Sequence, residues 1–358
     1  MKPENIIRIK KTVFMIGVVA MALSAGAAGA ALVANAVIGS LSFSSYSGVA
    51  PVTQNTIKPS TTKVDFAAKS VVVFYKKKAG ATPLDKIFLP GDEAGNGVVL
   101  TSDGWVVTSS SVLAGRGALT AVFSDKTTAM VDPASAVRDD ATGLVFIKIA
   151  GHDLDVASFG DDTTLLAGDP VFSVSPNAVA DAAVLAPRLL PVQAKTDYVE
   201  STERLSRRIM IAPSGLAGSA LVDPSGGLVG LEMGDGTAVP VSFISEVLHE
   251  LFKSGGVVRP VAGAHYVSLD GLPNARDAGL IASGALITGG VKYRATEKGS
   301  AAETAGLKEG DVITFVEHDR INNEVTLAER LQDYAPGAKI ELTVVRAGKE
   351  IKLPLTLK

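Results

Sequence analysis

Gly95-Asn96-Gly97-Val98-Val99-Leu100-Thr101-Ser102-Asp103-Gly104-Trp105-Val106-Val107-Thr108 sets two short apolar runs around an Asp-Gly pair. Asp-Gly accepts the positive φ of a tight turn, so Val98–Leu100 and Trp105–Thr108 read as the arms of a β-hairpin. The same grammar recurs outward. Ser70–Tyr75 is a β-branched strand, Leu144–Ile149 is an unbroken apolar run expected to be a buried strand, and Leu221-Val222 and Leu228–Leu231 bracket the turn Asp223-Pro224-Ser225-Gly226-Gly227. Many short strands between Gly, Asp, Pro and Ser turns predict a mainly β domain over 63–256, a sandwich or barrel. Ser242–Ser254 has helical spacing and stops at Gly255-Gly256.

In this order the pieces resemble the trypsin-like domain of HtrA-family serine proteases, which implies a double six-stranded β-barrel. The family's glycine-flanked strand and Asp-Gly turn match Gly95-Asn96-Gly97-Val98-Val99 and Asp103-Gly104-Trp105. Its histidine-bearing stretch matches Thr108-Ser109-Ser110-Ser111-Val112-Leu113, with Ser111 at the histidine position. Its aspartate stretch matches Gly143-Leu144-Val145-Phe146-Ile147-Lys148-Ile149, with Gly143 at the aspartate position. Phe159-Gly160-Asp161-Asp162 and Gly168-Asp169 keep the register between the two ends. The nucleophile stretch matches Gly215-Leu216-Ala217-Gly218-Ser219-Ala220-Leu221-Val222, with Ala217 at the serine position, and Gly236-Thr237-Ala238-Val239-Pro240 matches the strand before the closing helix.

The resemblance therefore implies a degenerate triad, Ser111, Gly143 and Ala217, and no catalytic residue. A serine hydroxyl is a weak nucleophile without an adjacent base, and the base needs a partner that holds its tautomer. Losing the nucleophile or base alone costs about a millionfold in turnover in a related protease. The backbone N–H groups of Gly215 and Ala217 are expected to remain as an oxyanion hole. Ser219, two residues beyond Ala217, reads as a small turn residue, and Ser109–Ser111 as caps of a short helix.

Residues 259–358 resemble a PDZ domain of the HtrA kind, an α+β fold. The carrying stretch is Gly299-Ser300-Ala301-Ala302-Glu303-Thr304-Ala305-Gly306-Leu307-Lys308-Glu309-Gly310-Asp311-Val312-Ile313, where Ser300 caps a short helix and Gly306 ends it. PDZ domains bind peptides by strand addition, catching a carboxylate on backbone N–H groups. The resemblance places that loop at Arg259-Pro260-Val261-Ala262-Gly263-Ala264, the docking strand at His265–Leu269, and the facing helix at Thr326–Tyr334 with Leu327 and Leu331 on one face. The peptide-binding residues expected are Ala262, Gly263, Ala264, His265, Leu327 and Leu331. A structural PDZ domain that only packs on its neighbour remains the other reading.

Residues 12–39 are uncharged and almost wholly apolar, longer than the roughly 20 residues a membrane helix needs. Lys2, Arg8, Lys10 and Lys11 precede the stretch and the next positive charge is Lys58, which places 1–11 in the cytoplasm and the folded domains outside it. A retained signal anchor in the cytoplasmic membrane is expected. The rival is a cleaved signal peptide ending at Ala34-Asn35-Ala36. Residues 40–62, rich in Ser and Thr, read as a linker.

The 358 residues carry a net charge of −3, which gives no support to nucleic-acid binding, and no cysteine, which removes disulfides and thiolate chemistry. Four dispersed histidines, His152, His249, His265 and His318, make no metal-site spacing, and no cofactor is expected. The favoured reading is a pseudoprotease of the bacterial envelope that works by binding C-terminal peptides or unfolded proteins, alone or in oligomers with active homologues. The alternatives are an endopeptidase with a non-standard site and a purely structural envelope protein.

Overall fold

The computed structural model describes residues 61–358 apart from 79–81, 83, 90, 152, 190–197, 213, 271, 273–274, 276–280, 291 and 323. The expected anchor at 12–39 and its cytoplasmic flank lie outside the described residues. Among those described, no helix is long and apolar enough to cross a membrane. The linker expectation over 40–62 needs one correction: Thr61 and Thr62 already belong to helix α1, Thr61–Lys69, whose Val64 and Ala67 are buried. Burial of that apolar side overrides the helix-poor threonines at its start.

The chain then enters a sheet of β1 (Val71–Lys76), β2 (Glu93–Val99), β3 (Trp105–Ser109), a short helix α2 (Ser110–Leu113), β4 (Leu119–Val122), β5 (Thr128–Val131), β6 (Val137–Asp139) and β7 (Leu144–Lys148). Its strands lie in the order β5-β4-β1-β2-β3-β7-β6. The expectation of six strands closed into a barrel is corrected here: seven strands are present and the two end strands do not pair with each other. β5 and β6 are joined by a 3-10 turn at Pro133–Ser135, capped by the Asp132 side chain. That turn carries the chain away instead of folding it back as a hairpin, and Pro133 has no N–H to offer a ladder.

The second half is a closed barrel of six strands: β8 (Pro170–Ser175), β9 (Ala178–Leu189), β11 (Arg208–Ala212), β12 (Ala220–Val222), β13 (Leu228–Glu232) and β14 (Thr237–Pro240). Between β9 and β11 the chain leaves the barrel to make β10 (Glu200–Ser201). Helix α3 (Val241–Ser254) follows β14 and ends at Gly255, whose φ of 74° supports the left-handed cap.

The last sheet has the order β10-β15-β16-β17-β19-β20, with β15 (His265–Ser268), β16 (Ala285–Ile287), β17 (Val312–Val316), β19 (Lys339–Arg346) and β20 (Lys349–Thr356), while β18 (Asp319–Arg320) pairs with β17. Helices α4 (Ala301–Thr304) and α5 (Leu327–Gln332) cover it. Ser300 Oγ accepts from the Glu303 N–H at 3.1 Å, the cap expected from sequence.

Two apolar cores are local. One fills the first sheet with Val72, Phe74, Val99, Val106, Leu119 and Ile147, and one fills the barrel with Val171, Val184, Ile209, Leu221 and Val229. The third is continuous from Val64 on α1 through Phe146 and Leu231, along Phe243, Ile244, Val247 and Leu251 of α3, to Tyr266, Ile313, Leu327, Leu342 and Leu357. Each large side chain buried there contributes roughly 1.5–3 kcal/mol, so the last sheet is held to the rest by packing as well as by chain connectivity.

Candidate functional site

Two regions hold the residues singled out from sequence. In the first, β3 runs antiparallel to β7 with Ser109 opposite Leu144, and the Ser110 N–H donates to the Gly143 carbonyl at 2.9 Å. Ser109 caps α2: its Oγ accepts from the Ser111 N–H at 3.3 Å and lies 2.9 Å from Ser111 Oγ. Ser111 itself is exposed. A Cβ added to Gly143 would sit 3.6 Å from Met233 Cε, and one added to Gly234 would sit 3.2 Å from Ala217 Cβ. Met233 thus neighbours Gly143, and Gly234, the next residue, neighbours Ala217. Gly143 has φ +81°, a backbone region that side-chain-bearing residues other than Asn and Asp rarely enter.

The loop carrying Ala217 is locked to β2. The Asn96 N–H donates to the Ala217 carbonyl at 2.8 Å, and Asn96 Nδ2 donates to Ser219 Oγ at 2.9 Å. Ser219 is buried and engaged in this way. Gly218, with φ +84°, approaches so closely that a Cβ there would lie 1.8 Å from the Asn96 carbonyl oxygen.

The same loop departs from the expected oxyanion hole. The Gly215 N–H donates to Glu232 Oε2 at 2.5 Å, and Ser214 Oγ donates to the same oxygen at 3.1 Å. Glu232 is fully buried at the end of β13. Burial pushes its carboxyl pKa up, against lowering by hydrogen bonds from Ser173, Gly215 and Ser214. A substrate oxyanion would have to take the Gly215 N–H away from this acceptor.

The second region is the groove beside β15. Arg259 does not wait there for a ligand. Its Nε and Nη2 donate to Asp139 Oδ1 and Oδ2, each at 2.8 Å, and its Nη1 donates to Gln332 Oε1 at 3.0 Å. The loop amides are also engaged. Glu203 Oε1 accepts from the Gly263 N–H at 2.7 Å and the Ala262 N–H at 3.2 Å. Thr202 Oγ1 accepts from the Ala264 N–H at 3.0 Å, and the Thr202 N–H donates to the Ala264 carbonyl at 3.0 Å. Strand β10 continues the ladder, with Ser201 opposite His265 and Glu200 opposite Tyr266.

Ala262, Ala264, His265, Leu327 and Leu331 are all buried. The His265 ring stacks on Tyr293 at 4.9 Å and its Nδ1 lies 2.8 Å from the Arg294 carbonyl, so it is satisfied by its own domain. Leu327 and Leu331 share the continuous core with Tyr266. His318 is exposed in the turn between β17 and β18, and His152 and the His249 side chain lie outside the described residues. No group of three or more His, Asp or Glu among the described residues is placed to hold a metal ion.

Around the groove sits a set of buried charges that the sequence did not single out. The Tyr266 hydroxyl donates to Glu200 Oε2 at 3.4 Å. Burial pushes the Glu200 carboxyl up to about 7, and the nearby Glu329 charge adds to the rise. Glu329 accepts from Arg207 Nε at 2.9 Å, and the Arg207 guanidinium lies 5.0 Å over the Phe243 ring. These partners are far apart in sequence, and no local pattern announces them.

The profile of the trypsin-like peptidase domain matches residues 95–231, and that of the PDZ domain matches 274–357. Over 284 residues the chain is 28% identical to the serine protease Do-like HtrA of Lactobacillus helveticus, covering 74% of this chain and 68% of the relative. It is 29% identical over 272 residues to a probable periplasmic serine endoprotease DegP-like of Rhizobium meliloti, covering 71% of this chain and 51% of that longer protein. In fold it is similar to the HtrA-type protease AlgW with decapeptide, with a TM-score of 0.60 at 22% identity over 83% of this chain and 97% of the other. The chain thus carries a match to a trypsin-like peptidase domain followed by a match to a PDZ domain, and in sequence and fold it is similar to HtrA-type proteases.

Proposed function

We propose that this protein is an HtrA-like pseudoprotease that acts by binding. In this reading a trypsin-like domain over 63–256 serves as scaffold and a PDZ domain over 259–358 as the peptide-recognising part. The observation that carries it is the Gly215 N–H seated on the buried Glu232 carboxylate, beside an alanine at the position matched to the nucleophile. A hydrolase needs both a group to attack and donors turned toward the developing oxyanion. Ser111, Gly143 and Ala217 offer a hydroxyl, a hydrogen and a methyl where the family has a base, its orienting carboxylate and a nucleophile. The location proposed is extracytoplasmic, behind an anchor at 12–39, and the partners proposed are peptides, unfolded proteins and active homologues.

The test is labelling of the purified protein with a fluorophosphonate probe, alongside hydrolysis of an unfolded casein substrate. No labelled serine and no cleavage are expected. A stoichiometrically labelled serine together with cleavage would overturn the proposal in favour of an active endopeptidase.

A further inference from the structure

We infer that the PDZ groove of this protein is filled by the chain's own segment Glu200–Glu203, with the Glu203 side-chain carboxylate occupying the place of a peptide's terminal carboxylate. The inference rests on the reading of the last domain as a peptide receptor and adds to it the identity of a resident ligand.

Three features of the segment match those of a strand-adding peptide. Its polarity is right: β10 is antiparallel to β15 and runs toward the carboxylate loop. Its register is unbroken, with Glu200 beside Tyr266, Ser201 beside His265, and Thr202 exchanging backbone and side-chain bonds with Ala264. It also ends in the right chemistry. One carboxylate oxygen takes the N–H groups of Ala262 and Gly263, and Ser201 Oγ donates to the other at 2.5 Å. Backbone N–H groups converging on a carboxylate make charge-assisted bonds roughly twice as strong as neutral ones. A free peptide carboxylate would need those same two donors.

The segment belongs to the excursion between β9 and β11 of the barrel, so the ligand is tethered and its effective concentration is high. An incoming peptide must displace it, and its apparent affinity is lowered by the fraction of time the groove is open.

The test uses the full-length protein and its Glu203→Ala and Glu203→Gln variants, with thermal midpoints confirming that each is folded. Hydrogen exchange at the amides of Ala262 and Gly263 is read first. It is expected to quicken at least about tenfold in Glu203→Ala, with Glu203→Gln between it and wild type, since removing the carboxylate strips the protecting acceptor. A fluorescein-labelled, C-terminally amidated peptide of residues 198–203 is then titrated in. It is expected to bind Glu203→Ala at least about tenfold more tightly than wild type. Unchanged exchange in both variants, or equal peptide affinity in wild type and variant, would overturn the inference. Carboxy-terminal peptides from a random library form the last arm. If the opened variant takes the 198–203 peptide but none of these, the resident strand stands and the receptor reading falls.

Discussion

The Arg259 guanidinium grips the Asp139 carboxylate through two bonds of 2.8 Å, one to each oxygen, and so ties the segment between α3 and β15 to β6 of the first sheet. Asp139 is also held by Thr142 Oγ1 at 2.6 Å, and its side chain is only 1% exposed. Removing one partner of such a pair leaves an uncompensated buried charge, which is more damaging than the pair is worth. Arg259→Ala is therefore expected to destabilise the protein by about 3 kcal/mol or more. Arg259→Lys, which cannot make the paired geometry, should recover only part of that. Urea denaturation midpoints of the three proteins check this.

Rebuilding the triad alone is expected to fail. On the proposed reading, Ser111→His, Gly143→Asp and Ala217→Ser would supply the three side chains at the positions matched to the triad. The Gly215 N–H would still face Glu232. The triple variant should show no casein hydrolysis above the wild-type background in a fluorescence-release assay. Measurable turnover would show that the Glu232 contact does not hold the loop shut.

Glu200 makes stability fall with rising pH. Its carboxyl is raised from 4.5 to about 7 by burial first and by the Glu329 charge second, with the Tyr266 hydrogen bond opposing. The folded state thus keeps a proton that the unfolded chain releases from about pH 4.5 upward, so each step toward pH 7 favours unfolding. The contribution lost across that window is on the order of 3 kcal/mol. Glu232 and Glu329, also raised by burial, act in the same direction, so the difference between wild type and Glu200→Gln isolates the Glu200 share. Urea midpoints at about pH 5 and about pH 8 should differ more for wild type than for the variant.

Two glycines with similar φ should respond very differently to alanine. At Gly218 the new Cβ would strike the Asn96 carbonyl oxygen at 1.8 Å, a backbone atom that cannot swing aside. Several kcal/mol of destabilisation, or failure to fold, is expected. At Gly115, φ +65°, nothing lies within 4 Å, and the cost should be only the conformational penalty of about 1–2 kcal/mol. Thermal midpoints of Gly218→Ala and Gly115→Ala make the comparison.

Much of the architecture was legible because it rests on short-range pattern. The strand read at Trp105–Thr108 gains only Ser109, and the Asp103-Gly104 turn and the Ser300 cap follow from local chemistry. Helix α1 was not legible, since its threonines resemble linker composition and its helicity comes from burying Val64 and Ala67. The seventh strand of the first sheet escaped because β5 and β6 are short. At the site, Gly215 was marked but its acceptor was not. Glu232 reads in sequence as one more residue at a strand end, and only the closure of the barrel carries it beneath the loop. The pairing of β10 with β15 was equally hidden: two residues make a strand only when a partner far along the chain supplies the ladder.

The uninterrupted apolar seam from Val64 to Leu357 limits what evolution or an engineer can do with this chain. Cutting it at Gly256 would bare the inner face of α3 on one fragment and the Leu327 side of the last sheet on the other. The two lobes are thus poor candidates for trading as interchangeable cassettes. A transplant would have to carry the seam along with it.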